Sequence, residues 1–220
     1  IPRHFAFDLE GTLVDLEKFH IAAFEQTAQK LGIKFGLKEF RDFVGAGDFA
    51  ISKEISRLAD NFPDEIIRAI KNTIYMDLLH SGPINPREGV PEYLDRAKTI
   101  SGELLIASLT PPSNFGIILA KSNLHPFFHY LITRDNPEFK KPNPWVYQKA
   151  AEIFSIPNRR LLIHEDSPVG VKAAKLAGSP VAAFPVYEDL KFTPDPDVIF
   201  FSWRNLDPLD VIEKIIQKNV

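Results

Sequence analysis

The chain has 220 residues, and 26 Lys and Arg against 29 Asp and Glu leave a formal net charge of −3. Its 45% apolar and 25% charged residues exclude a disordered or fibrous chain and permit a core burying about 70% of the unfolded surface. No basic stripe marks a nucleic-acid binder, and the absence of cysteine removes thiol catalysis, thiolate metal sites and disulfides.

The opening run His4-Phe5-Ala6-Phe7-Asp8-Leu9-Glu10-Gly11-Thr12 reads as a buried strand that delivers Asp8 into an acidic, glycine-containing turn. No signal-peptide layout surrounds it, and no apolar run approaches the roughly 18 residues that span a bilayer, so a soluble cytoplasmic protein is expected. Residues 16–82 read as all helical. Phe19, Ala23, Phe24 and Ala28 recur at helical spacing and Gly32 is a stop; further helices are expected at 37–43, 48–59 and 64–79, with Asp64 as an N-cap. The phenylalanines of this stretch, Phe19, Phe24, Phe40, Phe43 and Phe49, read as its core. Pro83 and Pro86 then mark a linker and Gly89 to Lys98 looks helical. Beyond it, strands expected at 103–108, 129–133, 161–164, 180–184 and 197–201 alternate with helices at 113–122, 144–154, 168–177 and 208–218. Alternation of this kind, with near-continuous apolar strands, predicts a parallel sheet covered on both faces. The fold class is therefore α/β: a Rossmann-like parallel sheet core, residues 1–15 and 83–220, with an inserted all-α cap domain at 16–82.

In an open parallel sheet, ligands bind at the carboxyl ends of the strands. Those ends supply Asp8 and Glu10 after the first strand, Ser108, Leu109 and Thr110 after the second, Lys141 beyond the third, and Glu165 and Asp166 after the fourth. Four carboxylates converging on one region repel one another unless a cation sits among them. Hard oxygen donors with room for water favour Mg²⁺. Such an ion, with Lys141 and the Ser108 hydroxyl, would hold a phosphoryl group and neutralise charge developing on it. Asp8 is then placed as a nucleophile that forms an aspartyl-phosphate, and Glu10 as the acid and base.

The same residues resemble the haloacid dehalogenase superfamily. Asp8-Leu9-Glu10-Gly11-Thr12 is similar to its first motif, D-x-D-G-T, and Leu105-Ile106-Ala107-Ser108 to its second. Lys141-Pro142-Asn143-Pro144 resembles the third, and Glu165-Asp166-Ser167-Pro168-Val169-Gly170 the fourth. All four occur in family order across essentially the whole chain, with a helical insert where the family's type-1 cap sits, as in the β-phosphoglucomutase and phosphoglycolate phosphatase branch. The resemblance implies that Asp8 is nucleophile and metal ligand, Glu10 the acid/base with its main-chain carbonyl on the metal, and Ser108, Leu109 and Lys141 the phosphate binders. Asp166 with Glu165 would complete the magnesium site. One position departs from the usual pattern: Glu10 stands where the family has Asp, its carboxyl displaced by roughly 1.5 Å.

For the substrate beyond its phosphate, the resemblance points to His20 and Lys71, Thr110 is a further candidate contact, and the cap loop Gly45-Ala46-Gly47-Asp48 has the acid Asp48 near where the mutase uses an arginine for its second phosphate. His20 reads equally as a packed helix residue, Lys71 as a solvated helix face, and Thr110 as a turn residue. The expected activity is a magnesium-dependent phosphomonoester hydrolase acting on a small phosphorylated metabolite, as monomer or homodimer. The alternatives are a sugar phosphomutase and a catalytically weak phosphate-binding or regulatory protein.

Overall fold

A computed structural model describes residues 1–41, 43, 47–133 and 140–218. The chain divides into two compact units, one of residues Ile1–Asp15 and Ile84–Val220 and one of Leu16–Pro83.

The first unit is built on six strands: β1 His4–Phe7, β2 Leu104–Ala107, β3 Tyr130–Ile132, β4 Leu161–Glu165, β5 Val181–Ala183 and β6 Val198–Ile199. All pair parallel, in the order β3-β2-β1-β4-β5-β6. The fold is α/β and Rossmann-like, and the strands fall where the apolar runs predict them. Strands β1, β2, β4 and β5 are buried almost throughout, whereas β3 and β6 are partly exposed. A central strand meets helices on both faces and so carries no polar alternation; an edge strand has one free side.

In the second unit, helices α1 Glu17–Lys30, α2 Leu37–Arg41, α3 Gly47–Leu58 and α4 Asp64–Ser81 close around Phe24, Ala28, Phe35, Phe40, Ile51, Ile55 and Ile67. Two expectations are corrected here. Phe49 is not core but 58% exposed, with Lys53 and Arg68 over its ring; its position on α3 turns it outward. Asp64 is the first helical residue, not the N-cap, and its carboxylate pairs with Arg68 one turn on.

The remaining helices belong to the sheet unit: α5 Val90–Ser101, α6 Pro112–Ser122, α7 Trp145–Ile153, α8 Pro168–Ala177 and α9 Pro208–Lys218. Helices α7 and α8 pack with Ala6, Leu105, Ala107, Ile163 and Val181 in one apolar cluster. Helix α5 packs on β1 and β2, and α9 on β6. Among the described residues no helix is long and apolar enough to cross a membrane.

Strand β1 lies between β2 and β4: the chain runs outward from β1 through β2 to β3, then crosses back to β4 and runs outward the other way through β5 to β6. That reversal opens a crevice at the carboxyl ends of β1 and β4, where open α/β sheets bind ligands.

Candidate active site

Asp8 is the first residue past β1, and its N–H still reaches the His164 carbonyl of β4 (2.9 Å). The strand therefore holds the Asp8 backbone rigidly while its side chain enters the crevice. The following turn folds on itself, with the N–H groups of Leu13 and Val14 both donating to the Leu9 carbonyl. Gly11 within it has φ +86°, and a Cβ there would lie 2.2 Å from Asp166 Oδ2. Only glycine permits both that backbone and that approach.

Lys141 reaches the crevice from just before α7. Its ammonium donates to Asp8 Oδ1 and to Glu165 Oε1, each at 2.5 Å, and its side chain is 6% exposed. Burial alone would lower its pKa, but the two carboxylates hold it well above the usual lysine value. Burial raises Asp8 to about 7 despite the opposing Lys141 charge.

Glu165 ends β4 and is fully buried. Its Oε1 accepts from Lys141 and from the Tyr147 hydroxyl (2.5 Å). Its Oε2 accepts from the N–H groups of Asp166 and Ser167 and from the Ser167 hydroxyl, at 3.0–3.2 Å. Burial pushes this acid up, yet Lys141 and these donors hold it below its usual value. The Ser167 hydroxyl also accepts from the Gly170 N–H as the N-cap of α8. A Cβ on Gly170 would fall 1.8 Å from Glu165 Oε1, so the glycine of this turn makes room for the carboxylate.

Asp166 accepts from Thr12 Oγ1 (3.0 Å). Its pKa is raised well above the ordinary value, first by burial and then by the Glu165 and Asp8 charges. On the other flank Glu10 Oε1 accepts from Thr110 Oγ1 (2.6 Å). The Ser108 and Thr110 hydroxyls are 2.9 Å apart, and the Thr110 N–H donates to Ser108 Oγ (3.2 Å). Ser108 and Thr110 are buried, with the half-buried Leu109 between them.

The structure thus joins Asp8, Lys141 and Glu165 into one cluster, and Glu10, Thr110 and Ser108 into a second; Asp166 is tied to Thr12. The four residues expected at the metal, Glu10 among them through its main-chain carbonyl, do not bring their side-chain carboxylates to one point. Among the described residues no three His, Asp or Glu side chains are grouped to hold a metal. The physical reason is that five donors occupy both oxygens of Glu165, while Glu10 turns toward Thr110. Asp8 and Asp166 remain, two buried hard-oxygen acids whose pKa values are raised first by burial and further by the neighbouring carboxylates. Mg²⁺ is commonly held by one or two carboxylates with water and substrate phosphate, so this donor set fits it.

The candidate substrate residues of the helical unit also converge. Lys71 Nζ lies 2.5 Å from Asp48 Oδ2 and 2.9 Å from His20 Nδ1. It stands over the rings of Tyr75 (4.6 Å) and Phe24 (5.1 Å), and the His20 ring stacks on Tyr75 at 4.3 Å. Lys71 is 1% exposed, which overturns the solvated-face alternative. Residues 45 and 46 of the cap loop and 134–139 before Lys140 lie outside the described residues.

Sequence reasoning passed over Tyr147, which sits three residues after Pro144 on the buried face of α7; its burial as part of an apolar stripe concealed its hydroxyl. It also passed over Arg87, a lone arginine between Pro86 and Glu88.

The sequence profile of the haloacid dehalogenase-like hydrolases matches residues 5–184. Among curated relatives, the chain is 29% identical over 208 residues to protein CbbY of Rhodobacter capsulatus, covering 90% of each chain. It is 26% identical over 178 residues to the phosphorylated carbohydrates phosphatase of Thermotoga maritima, covering 78% of this chain and 80% of that protein. Its fold is similar to that of a family IA, variant 3 hydrolase from Entamoeba histolytica, with a TM-score of 0.83 at 19% identity over 97% of this chain and 99% of the other. The chain belongs to the haloacid dehalogenase-like hydrolase family and is an enzyme of its phosphatase kind.

Proposed function

We propose that the enzyme hydrolyses phosphomonoesters of small carbohydrates through a covalent intermediate on Asp8. The observation that carries this reading is the Asp8 carboxylate, fixed at the switch point of the sheet and held by a buried ammonium at 2.5 Å. The resemblance to a phosphorylated carbohydrates phosphatase supports the sugar phosphate as substrate class.

In the first step an Asp8 oxygen attacks phosphorus and the phosphorus–oxygen ester bond breaks. The leaving alkoxide takes its proton from the Glu10 carboxyl group. In the second step the Glu10 carboxylate takes a proton from water, whose oxygen attacks the acyl phosphate. Inorganic phosphate leaves, Asp8 is regenerated, and Glu10 is again protonated. Lys141 stays charged throughout, because two carboxylates face it, and offsets negative charge on the phosphoryl oxygens. The Ser108 hydroxyl and the Leu109 N–H bind those oxygens. The Thr110 hydroxyl orients Glu10 toward the leaving group, which allows the longer glutamate side chain to serve where the family has aspartate.

Phosphatases of this family in general use Mg²⁺. Asp8 and Asp166, with the main-chain carbonyl of Glu10, would hold it here. The ion would supply positive charge against the phosphoryl group and the carboxylates around it.

The test is phosphate release from a panel of sugar phosphates, phosphoglycolate and nucleotides, with Mg²⁺ and with excess chelator. Turnover of a sugar monophosphate that chelator abolishes is expected. Full activity in chelator would overturn the metal assignment, and no turnover of any ester would overturn the phosphatase reading. Isomerisation outpacing phosphate release would replace it with the mutase reading.

A further inference from the structure

Arg87 has no part in the chemistry above, yet it is among the more elaborately held cations of the sheet unit. It lies between the linker prolines and α5, partly buried. Its Nη1 donates to the Gly11 carbonyl (2.6 Å) and to the Phe184 carbonyl (2.5 Å), with a longer Nη2 contact to the Pro185 carbonyl (3.5 Å). Its own N–H donates to the Leu13 carbonyl (2.8 Å). Among the described residues its hydrogen bonds all go to main-chain carbonyls.

Those carbonyls belong to two loops, one after β1 and one after β5, on opposite sides of β4. One nitrogen, Nη1, makes both short bonds, its two N–H groups fixed at diverging directions in the rigid guanidinium plane; the freely rotating ammonium of a lysine fixes no such directions. A partly buried charge loses hydration, and burial accordingly lowers the Arg87 pKa against the opposing Asp166 and Asp15 charges. An arginine kept in this setting implies a geometric demand that water in its place would not meet.

The demand is visible at Gly11. Its peptide lies between the Arg87 fork and the Asp166 carboxylate, which already sits where a Cβ would be. Glu10 is the preceding residue. The Gly11 N–H, which belongs to the Glu10–Gly11 peptide, donates to the Val14 carbonyl (2.7 Å) of the same turn, so a turn freed from Arg87 at the Gly11 and Leu13 carbonyls also loosens the base of the carboxyl that Thr110 holds at 2.6 Å. We infer that Arg87 is a positioning residue for Glu10: by clamping the Gly11 carbonyl it sets the proton donor against the leaving oxygen. This rests on the reading of Glu10 as the acid/base. Misplacement of a reacting group by about 1 Å costs on the order of 10²-fold in rate.

The test uses the full chain and two esters: the sugar monophosphate turned over fastest in the panel, and p-nitrophenyl phosphate. The sugar alkoxide needs a proton to leave, whereas p-nitrophenolate leaves without one. Because kcat/KM reports the steps up to and including phosphoryl transfer to Asp8, it isolates leaving-group protonation. For Arg87→Met we expect kcat/KM to fall about 10²-fold on the sugar phosphate and less than about threefold on p-nitrophenyl phosphate. Arg87→Lys, which keeps the charge but not the fixed donor directions, should fall between parent and Arg87→Met with the same bias. The ratio of the two esters is independent of how much variant is folded, so a loss of stability cannot imitate the result. In a Glu10→Gln background, Arg87→Met should cost no more than about twofold further, since the group it positions is gone. Equal losses on both esters, no loss on either, or a full additional hundredfold in the Glu10→Gln background would overturn the inference while leaving the phosphatase reading intact. Absence of turnover by the parent enzyme would overturn both.

Discussion

Lys141 and Lys71 are both buried cations, one in each compact unit, but their surroundings balance differently. Lys141 bonds to Asp8 and Glu165, with Asp166 close enough to act on the same charges. Three carboxylates thus share one bonded ammonium. Lys71 bonds to one carboxylate, Asp48, whose side chain is 41% exposed, and to the His20 ring. The first cluster carries surplus negative charge, which is the condition for holding a metal and a phosphoryl group. The second pairs one ammonium with one carboxylate. Perturbed charge balance of the first kind is common at catalytic sites.

The largest expected effect tests the surplus directly. Asp8→Asn should lower kcat by about 10³-fold or more, the scale for removing a nucleophile. The same variant should be more stable than the parent without metal. Asp8 has a folded pKa of about 7 against 3.8 unfolded, so folding favours its protonated form. That contribution is fully present below pH 3.8 and is lost as pH rises through 7. The stability gap, read from urea melts in chelator, should open between pH 4 and pH 8 in favour of Asp8→Asn. A gap that narrows over that range would contradict the raised pKa of buried Asp8.

Next comes a matched pair of lysine substitutions. Lys141→Met leaves Asp8 and Glu165 buried without their cation and should cost about 3–5 kcal/mol at pH 7.5. Lys71→Met leaves only Asp48, which water can reach, and should cost less than about 1 kcal/mol. Urea unfolding compares them; equal costs would erase the distinction between the clusters.

Smaller changes probe how Glu165 is held. Gly170→Ala places a methyl group against its carboxylate and should cost about 1–3 kcal/mol by overpacking. Tyr147→Phe removes one of five donors to Glu165, and a loss of about 1–2 kcal/mol is expected. The latter should also leave Lys141 less tightly fixed, seen as a kcat loss below about tenfold with KM unchanged. A larger effect from Tyr147→Phe than from Gly170→Ala would show that hydrogen bonding, not packing, sets the Glu165 position.

Much of the sheet unit was legible in the amino-acid sequence, because strands buried on both faces are written as near-continuous apolar runs. Leu104–Ala107 and Leu161–Glu165 could hardly be anything else between their helices. The chemistry-bearing residues were legible for a related reason: parallel topology delivers whatever follows each strand to one edge. Asp8, Ser108 and Glu165 needed no distances to be noticed. Among the helices the pattern was weaker guidance. Phe49 matches the apolar composition of its neighbours and still lies outside, and Lys71 is polar and still lies inside over two aromatic rings.

What the sequence determined by itself was therefore the order of elements and which side chains arrive at the strand ends, since periodicity and chain direction are local properties. What only the tertiary structure decided was the employment of each group once there. Glu165 faces five donors contributed by three segments, so both its oxygens are engaged and it anchors Lys141. Arg87 grips carbonyls 76 and 97 residues away. Hydrogen-bond saturation and charge balance depend on partners distant in the chain, and no window of sequence contains them.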